Sequence, residues 1–229
     1  MIRVRVQFPW QEEKNQMTPW IRLIQPHSGS GKGFHFIPEV GEEVLVGFES
    51  GNAEKPFVMG THYNGFETSS YHTSGNDKKV IHTRSGTKII LNDAEGSVFI
   101  EDPSGNTYLM DGQGNINVNA PNDMTFTAGK NISMIAGMNI TSSAGMNISE
   151  TAGINHSSFA GAMMIQNAVA DYSLMATNIM EVAQGKRKSE ATQIKEIAGG
   201  IDKQSTNTDV TIQGKGKVIT NSGEMNTSH

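Results

Sequence analysis

The sequence predicts an all-β chain, a small N-terminal barrel followed by a shaft of short stacked strands, on three observations. Five consecutive blocks of eight residues, each opening on Ala-Gly, fill residues 128–167. An even period returns the same strand face to the same side in every block, whereas seven or eleven would suit a helix. Residues 1–63 lack the octad and carry several short alternating runs instead. Composition agrees: Leu occurs five times in 229 residues and Gly 25 times, poor material for helices and good material for turns.

The runs of the N-terminal part are well separated. Residues 2–8 alternate strictly and end at Pro9-Trp10; residues 20–24, 43–48 and 57–59 are further apolar runs. Turn-rich stretches at 28–33 and 50–56 divide them, and several short strands at such spacing suggest a small barrel. Within residues 84–111 the stretch SGTKIILNDAEGSVFIEDPSGN is hairpin-like.

Counting back in eights from Ala128, Ala120 and Gly112 open two further blocks, so a small residue stands at 112, 120, 128, 136, 144, 152 and 160. Position five then reads Ile116, Met124, Ile132, Ile140, Ile148, His156 and Met164. Position three adds Met138, Met146 and Ile154 on the same parity. Position four is Asn or Asp from Asn115 to Asn155, on the opposite face. One face is apolar and the other polar, as a half-buried strand requires. Ala-Gly at each boundary fits a tight corner at which Gly takes positive φ.

A strand of eight residues cannot bury its apolar face alone, so the blocks must stack on something. One chain could wind three blocks into each coil of a solenoid, or three chains could wrap around one threefold axis. The sequence alone does not choose. Trimerisation leaves no free strand edges along the shaft and is the preferred reading. The ten residues at positions three and five are then the trimer core. After 167 the corners blur while alternation persists. Residues 186–200 admit a helix, since Ile194 and Ile197 are three apart, but the flanking glycines favour continuation of the shaft. Residues 221–229 are polar and read as a tip or frayed tail.

The formal charge of −5 and the lack of any long basic run argue against nucleic acid as a partner. No apolar run approaches the ~18 residues of a membrane span and no signal-peptide pattern opens the chain, so a cytoplasmic starting point is expected. With no Cys, disulfides and thiolate metal sites are excluded.

The segment RVRVQFPW, followed by PWIRLIQPHSGSGKGFHFIPEVGEEVLVGFESGNAEKPFVMGTHYN, closely resembles the OB-fold domain of VgrG-type spikes of type VI secretion and of related contractile phage tails. The resemblance covers residues 1–63, and SGTKIILNDAEGSVFIEDPSGN resembles the region leading in these spikes to a triple-stranded β-helix. The octads occupy the place of the family's valine-glycine repeats but use Ala-Gly corners with Ile and Met. The resemblance implies an OB-fold domain at 1–63, a linker and hairpin neck at 64–111, and an intertwined trimeric β-helix or β-prism at 112–220. It also implies a homotrimeric membrane-puncturing spike that is assembled in the cytoplasm and secreted on firing. A hub region and a tail-tube, Hcp-like protein are the partners implied at the OB end. A PAAR-type tip or an effector is implied at the C-terminal end, with a target cell envelope beyond. Full-length spikes of this family open with a hub domain, so the resemblance implies a piece of such a spike or a split gene product. Phage-tail or extracellular-particle spikes are the neighbouring alternative; a single-chain β-helix adhesin or polysaccharide lyase is a more distant one.

No enzyme and no cofactor is expected. Glu39, Glu42, Glu43, Glu49 and Glu54 read as a solvated face of the barrel. SGSGKG at 28–33 is not a phosphate loop, because Gly33 follows Lys32 where Ser or Thr is needed. His27, His35, His62, His72 and His82 have no ligand spacing. His156 replaces Ile at position five, so three copies would converge on a threefold axis. A polar break in the core, sharing water or hydrogen bonds, is favoured there over a bound ion.

Overall fold

The computed structural model describes residues 2–219, so the expected tip or tail at 221–229 lies outside the described residues. The fold is all-β. Among the described residues its helical content is two short 3-10 turns, Pro9–Lys14 and Glu49–Gly51. Two units divide the chain, residues 1–142 and 143–229.

The first sheet joins β1 (Arg3–Val4), β2 (Ile21–Leu23), β5 (Val44–Phe48) and β6 (Pro56–Thr61) in the order β1-β2-β6-β5; β3 (Ser28–Gly29) and β4 (Lys32–Gly33) form a separate hairpin between them. Strands β2 and β6 run parallel, the other pairs antiparallel, with a bulge between Leu45 and Val46. Val58 and Ile21 are the buried apolar residues of this sheet. At Gly47 a Cβ would come 2.9 Å from the tip of the Phe57 ring, so a larger residue there would require that side chain to shift. Thr18, also buried, ties the second run to the first: its hydroxyl accepts from the Val6 amide at 3.0 Å and its amide donates to the Val6 carbonyl at 2.8 Å. The sheet is open, not a closed barrel. Residues 34–43 cross the gap without strand pairing, because Pro38 lacks a donor and Gly41 has a φ of 103°.

The second sheet is an antiparallel meander of β7 (Lys78–His82), β8 (Lys88–Asn92), β9 (Ser97–Glu101), β10 (Thr107–Met110) and β11 (Ile116–Asn119). Lys88 faces Glu101 across the β8-β9 pair, with Nζ 2.5 Å from Oε2, and this bond raises the Lys88 pKa. Two of its turns repeat one device. In residues 102–106, Asp102 Oδ1 accepts from the Ser104 amide, the Ser104 hydroxyl and the Asn106 amide, while Oδ2 accepts from Asn106 Nδ2 at 2.8 Å. In residues 111–115, Asp111 holds Gln113 and Asn115 likewise. The shared pattern Asp-x-x-Gly-Asn was readable in the sequence, and Gly105 and Gly114 take the positive φ it needs.

Hydrogen bonds from Ser104 and then Asn106 hold the Asp102 carboxyl at about 2, below its ordinary 3.8. A folded-state pKa below the unfolded one means that the contribution is complete above the ordinary value. It is lost as pH falls through about 2. Replacing Asp102 by Ala is therefore expected to lower the melting temperature at neutral pH and to flatten its acid dependence. Thermal melts of both proteins across that interval check this; parallel acid limbs would refute it.

Gly112 belongs to this meander rather than to the octads. Its φ is 75° and a Cβ would lie 2.0 Å from the Glu95 carbonyl oxygen, so the hairpin before β11 demands Gly.

Beyond Asn119 no strand pairing occurs among the described residues, and every one from 121 to 219 is exposed. The backbone nevertheless bends in step with the octads, at 121–122, 129–130 and 137–138 in the first unit. In the second unit bends fall at 145–146, 153–154, 161–162, 169–170, 177 and 184–185. The corners thus continue past 167, where the sequence reading had them blur, and Ala168 and Ala176 still hold the small first position. Residues 186–200 form no helix and carry only bends at Thr192 and Gly199. One expectation is corrected: Gly129, Gly137, Gly145, Gly153 and Gly161 are not in the left-handed region, and nothing lies within 4 Å of their Cβ sites. Local backbone geometry is therefore not what places Gly at the corners.

Candidate functional site

The features that suggested chemistry dissolve into structural ties. Glu39 pairs with Arg84 at 3.0 Å, Glu42 Oε2 accepts from the Glu39 amide, Glu43 Oε2 accepts from Asn64 Nδ2 and Glu49 pairs with Arg22. The SGSGKG stretch is the exposed β3-β4 hairpin. His35, His72 and His82 border one wide groove, where Tyr71 Oη lies 3.0 Å from His82 Nδ1. Among the described residues no group of three or more His, Cys, Asp or Glu could hold a metal ion. No helix of the described residues is long and apolar enough to cross a membrane.

The distinctive surface is apolar. On one face of the meander the register aligns Ile81, Ile89, Ile100, Tyr108 and Val118 in a single row across all five strands. Leu91, Val98, Met110 and Ile116 make a second row beside it. All but Val98 are exposed, while Val80, Ile90, Phe99 and Leu109 on the other face are half-buried. The sequence signal was present but unread: the unbroken triplets Ile89-Ile90-Leu91 and Val98-Phe99-Ile100 put apolar groups on both faces, as a sheet covered on both sides requires.

This face continues into the octads. Ile116 is both the end of the second row and the first position-five residue, and Met124, the next, joins Ile100, Tyr108 and Val118 around a shallow apolar depression of about 310 Å³. The other proposed core residues fall into two classes. Ile132, Ile140, Ile148 and Met164, at position five, are 53–61% exposed. Met138, Met146 and Ile154, at position three, stand in the bends and are 91–92% exposed. His156 shares the position-five register. None of the ten is buried within the chain.

Residues 1–63 match the family described as the type VI secretion system/phage-baseplate injector OB domain. Among curated proteins the chain is similar to the actin cross-linking toxin VgrG1 of Vibrio cholerae, 38% identical over 72 residues, which are 30% of this chain and 7% of that protein. It is similar to the type VI secretion system spike protein VgrG3 of the same species, 36% identical over 72 residues, with the same shares. A third relative, the spike protein VgrG1b of Pseudomonas aeruginosa, is 30% identical over 135 residues, 56% of this chain and 18% of that protein. That stretch is longer than the OB domain, so the likeness reaches beyond it. The chain resembles VgrG-type spike proteins of type VI secretion and spans only a small part of their length.

Proposed function

We propose that this chain, whose residues 1–63 match an injector OB domain, forms with two further copies the shaft of a type VI secretion spike. The observation that carries the reading is unburied surface. A compact monomer of 24.8 kDa leaves about 10,000 Å² accessible. This chain exposes 21946 Å², more than double. The excess exceeds any standard interface and belongs to obligate, interwoven assemblies. A single-chain solenoid would pair each octad with another of the same chain, and no such pairing exists among the described residues beyond Asn119. The corner glycines, unneeded by their own backbone, fit sites where a neighbouring chain passes closely.

In this reading the three chains bury positions three and five and the bare face of the meander along a common core. No protomer can yield without breaking its contacts with both neighbours, which gives resistance to compression during penetration of a target envelope. The role is mechanical and effector-carrying, without catalysis. A hub region and tail-tube protein join at the OB end, a PAAR-type tip or effector at the other, and the spike is built in the cytoplasm and then expelled. The matched family's description covers phage baseplates as well, so a phage-type spike is the second reading, separated by whether capsid or secretion genes neighbour it. Light scattering of the purified chain tests assembly: three times 24.8 kDa is expected, persisting in detergent until heated, and a lone protomer at micromolar concentration would overturn the reading.

A further inference from the structure

Asn-Gly occurs once in the chain, at Asn64-Gly65, just past the last strand of the first sheet. The fold does not demand this glycine: its φ lies outside the left-handed region and nothing stands within 4 Å of its Cβ site. The asparagine beside it is held at both ends of its side-chain amide. Asn64 Oδ1 accepts from the Phe66 amide at 2.9 Å and from the Glu67 amide at 2.8 Å, and Nδ2 donates to Glu43 Oε2 at 3.0 Å. The Asn64 backbone amide closes the turn by donating to the Glu67 carbonyl at 2.9 Å. Among the described residues the Gly65 amide donates to no acceptor.

These are the parts of an intramolecular acyl transfer. Two backbone donors polarise the side-chain carbonyl and stand where an oxyanion would form. A carboxylate faces the nitrogen that must leave bearing positive charge. The attacking amide belongs to the next residue, so the reacting atoms are already joined in one small ring, and glycine brings no Cβ to obstruct its closure. We propose that Asn64 is a self-modifying site, at which the chain converts its own asparagine to aspartate or isoaspartate. The Gly65 nitrogen bonds to Asn64 Cγ and gives its proton to solvent; the Cγ–Nδ2 bond breaks, and Nδ2 takes a proton from solvent and leaves as ammonia. Water then opens the cyclic imide at either carbonyl. The product sets a carboxylate against Glu43 where an amide stood, so the tie between the start of β5 and the linker becomes a repulsion. The chain thereby carries a timed release of its linker from the first sheet that needs no other protein. Asn52 and Asn92 mark the contrast: each Oδ1 also accepts from the amide two residues on, but from that donor alone, and Ala53 or Asp93 follows instead of glycine.

The test incubates the full chain at neutral pH and samples it over days. Peptide mass spectrometry reads the gain from amide to acid, and an isoaspartyl methyltransferase assay reads the rearranged product. Asn64 is expected to react at least tenfold faster than Asn52 and Asn92 in the same digests, and severalfold faster in the folded chain than in urea. Gly65→Ala, which the open Cβ site admits, should slow the reaction at least tenfold, and Glu43→Gln severalfold, both with unchanged circular dichroism. Asn64→Asp, the product made directly, should be nicked by protease within residues 64–76 sooner than the freshly purified parent. A folded rate no higher than the rate in urea would overturn the site, since the dipeptide alone would then account for it, as would a rate untouched by Glu43→Gln. Equal nicking of Asn64→Asp and the parent would overturn the release of the linker.

Discussion

Replacing Ile148 by Asp is expected to abolish assembly. Ile148 is a position-five residue of a full Ala-Gly octad, and in a threefold shaft the change places three carboxylates at one level of an apolar core. Each buried, unpaired charge costs several kcal/mol, and mutual repulsion adds to the sum. A single chain gives no compensating burial, since every described residue beyond 121 is exposed there. Light scattering should report one chain where the parent gives three. Asn147→Asp, one residue away on the opposite face, introduces the same charge and is expected to leave the mass at three. Equal tolerance of both substitutions would mean that position five does not face the core. The same change at Met146 is expected to cost less, because position three stands in the bend.

Most of this architecture was legible, and its gaps have physical causes. The octad fixed the bends because an eight-residue period is an arithmetic property of the chain, readable without knowing what packs against it. The blurring expected after 167 came from following Gly rather than the small first residue, which persists at Ala168 and Ala176. The glycine rationale failed in an instructive way. Positive φ is a local property and occurs where it was not counted, at Gly105 and Gly114, while the corner glycines lack it. Nothing within 4 Å of their Cβ sites accounts for them either, so no local rule contains their reason. The open first sheet was unreadable for a related reason: Pro38 and Gly41 mark a break, but whether a barrel closes around that break depends on contacts distant in sequence. The clustered glutamates keep to the surface, as the sequence suggested, but each takes its own partner, Arg84, the Glu39 amide, Asn64 or Arg22, and those partners lie at distances in sequence that no local pattern shows.

Ile100→Lys is the second change expected to act strongly, and it probes a surface that the octad pattern does not reach. Ile100 sits at the centre of the exposed row, flanked by Ile89 on one side and Tyr108 on the other. Within one chain Ile100 is 40% exposed, so a lysine stem can lie along the row with its head in water, and the meander itself should fold with unchanged circular dichroism. The row is continuous with Ile116 and Met124, and hence with the position-five stripe, so in the proposed spike one core is expected to cover both. Burying a Lys head among Ile and Tyr side chains costs several kcal/mol unless the stem can snorkel to water. The variant is therefore expected to lose detergent resistance and to dissociate at concentrations where the parent stays intact. Asn117→Lys, on the opposite face of β11, serves as the matched control and should behave as the parent. If Ile100→Lys assembles normally while Ile148→Asp does not, the core begins at the octads and the bare face of the meander belongs to a different partner.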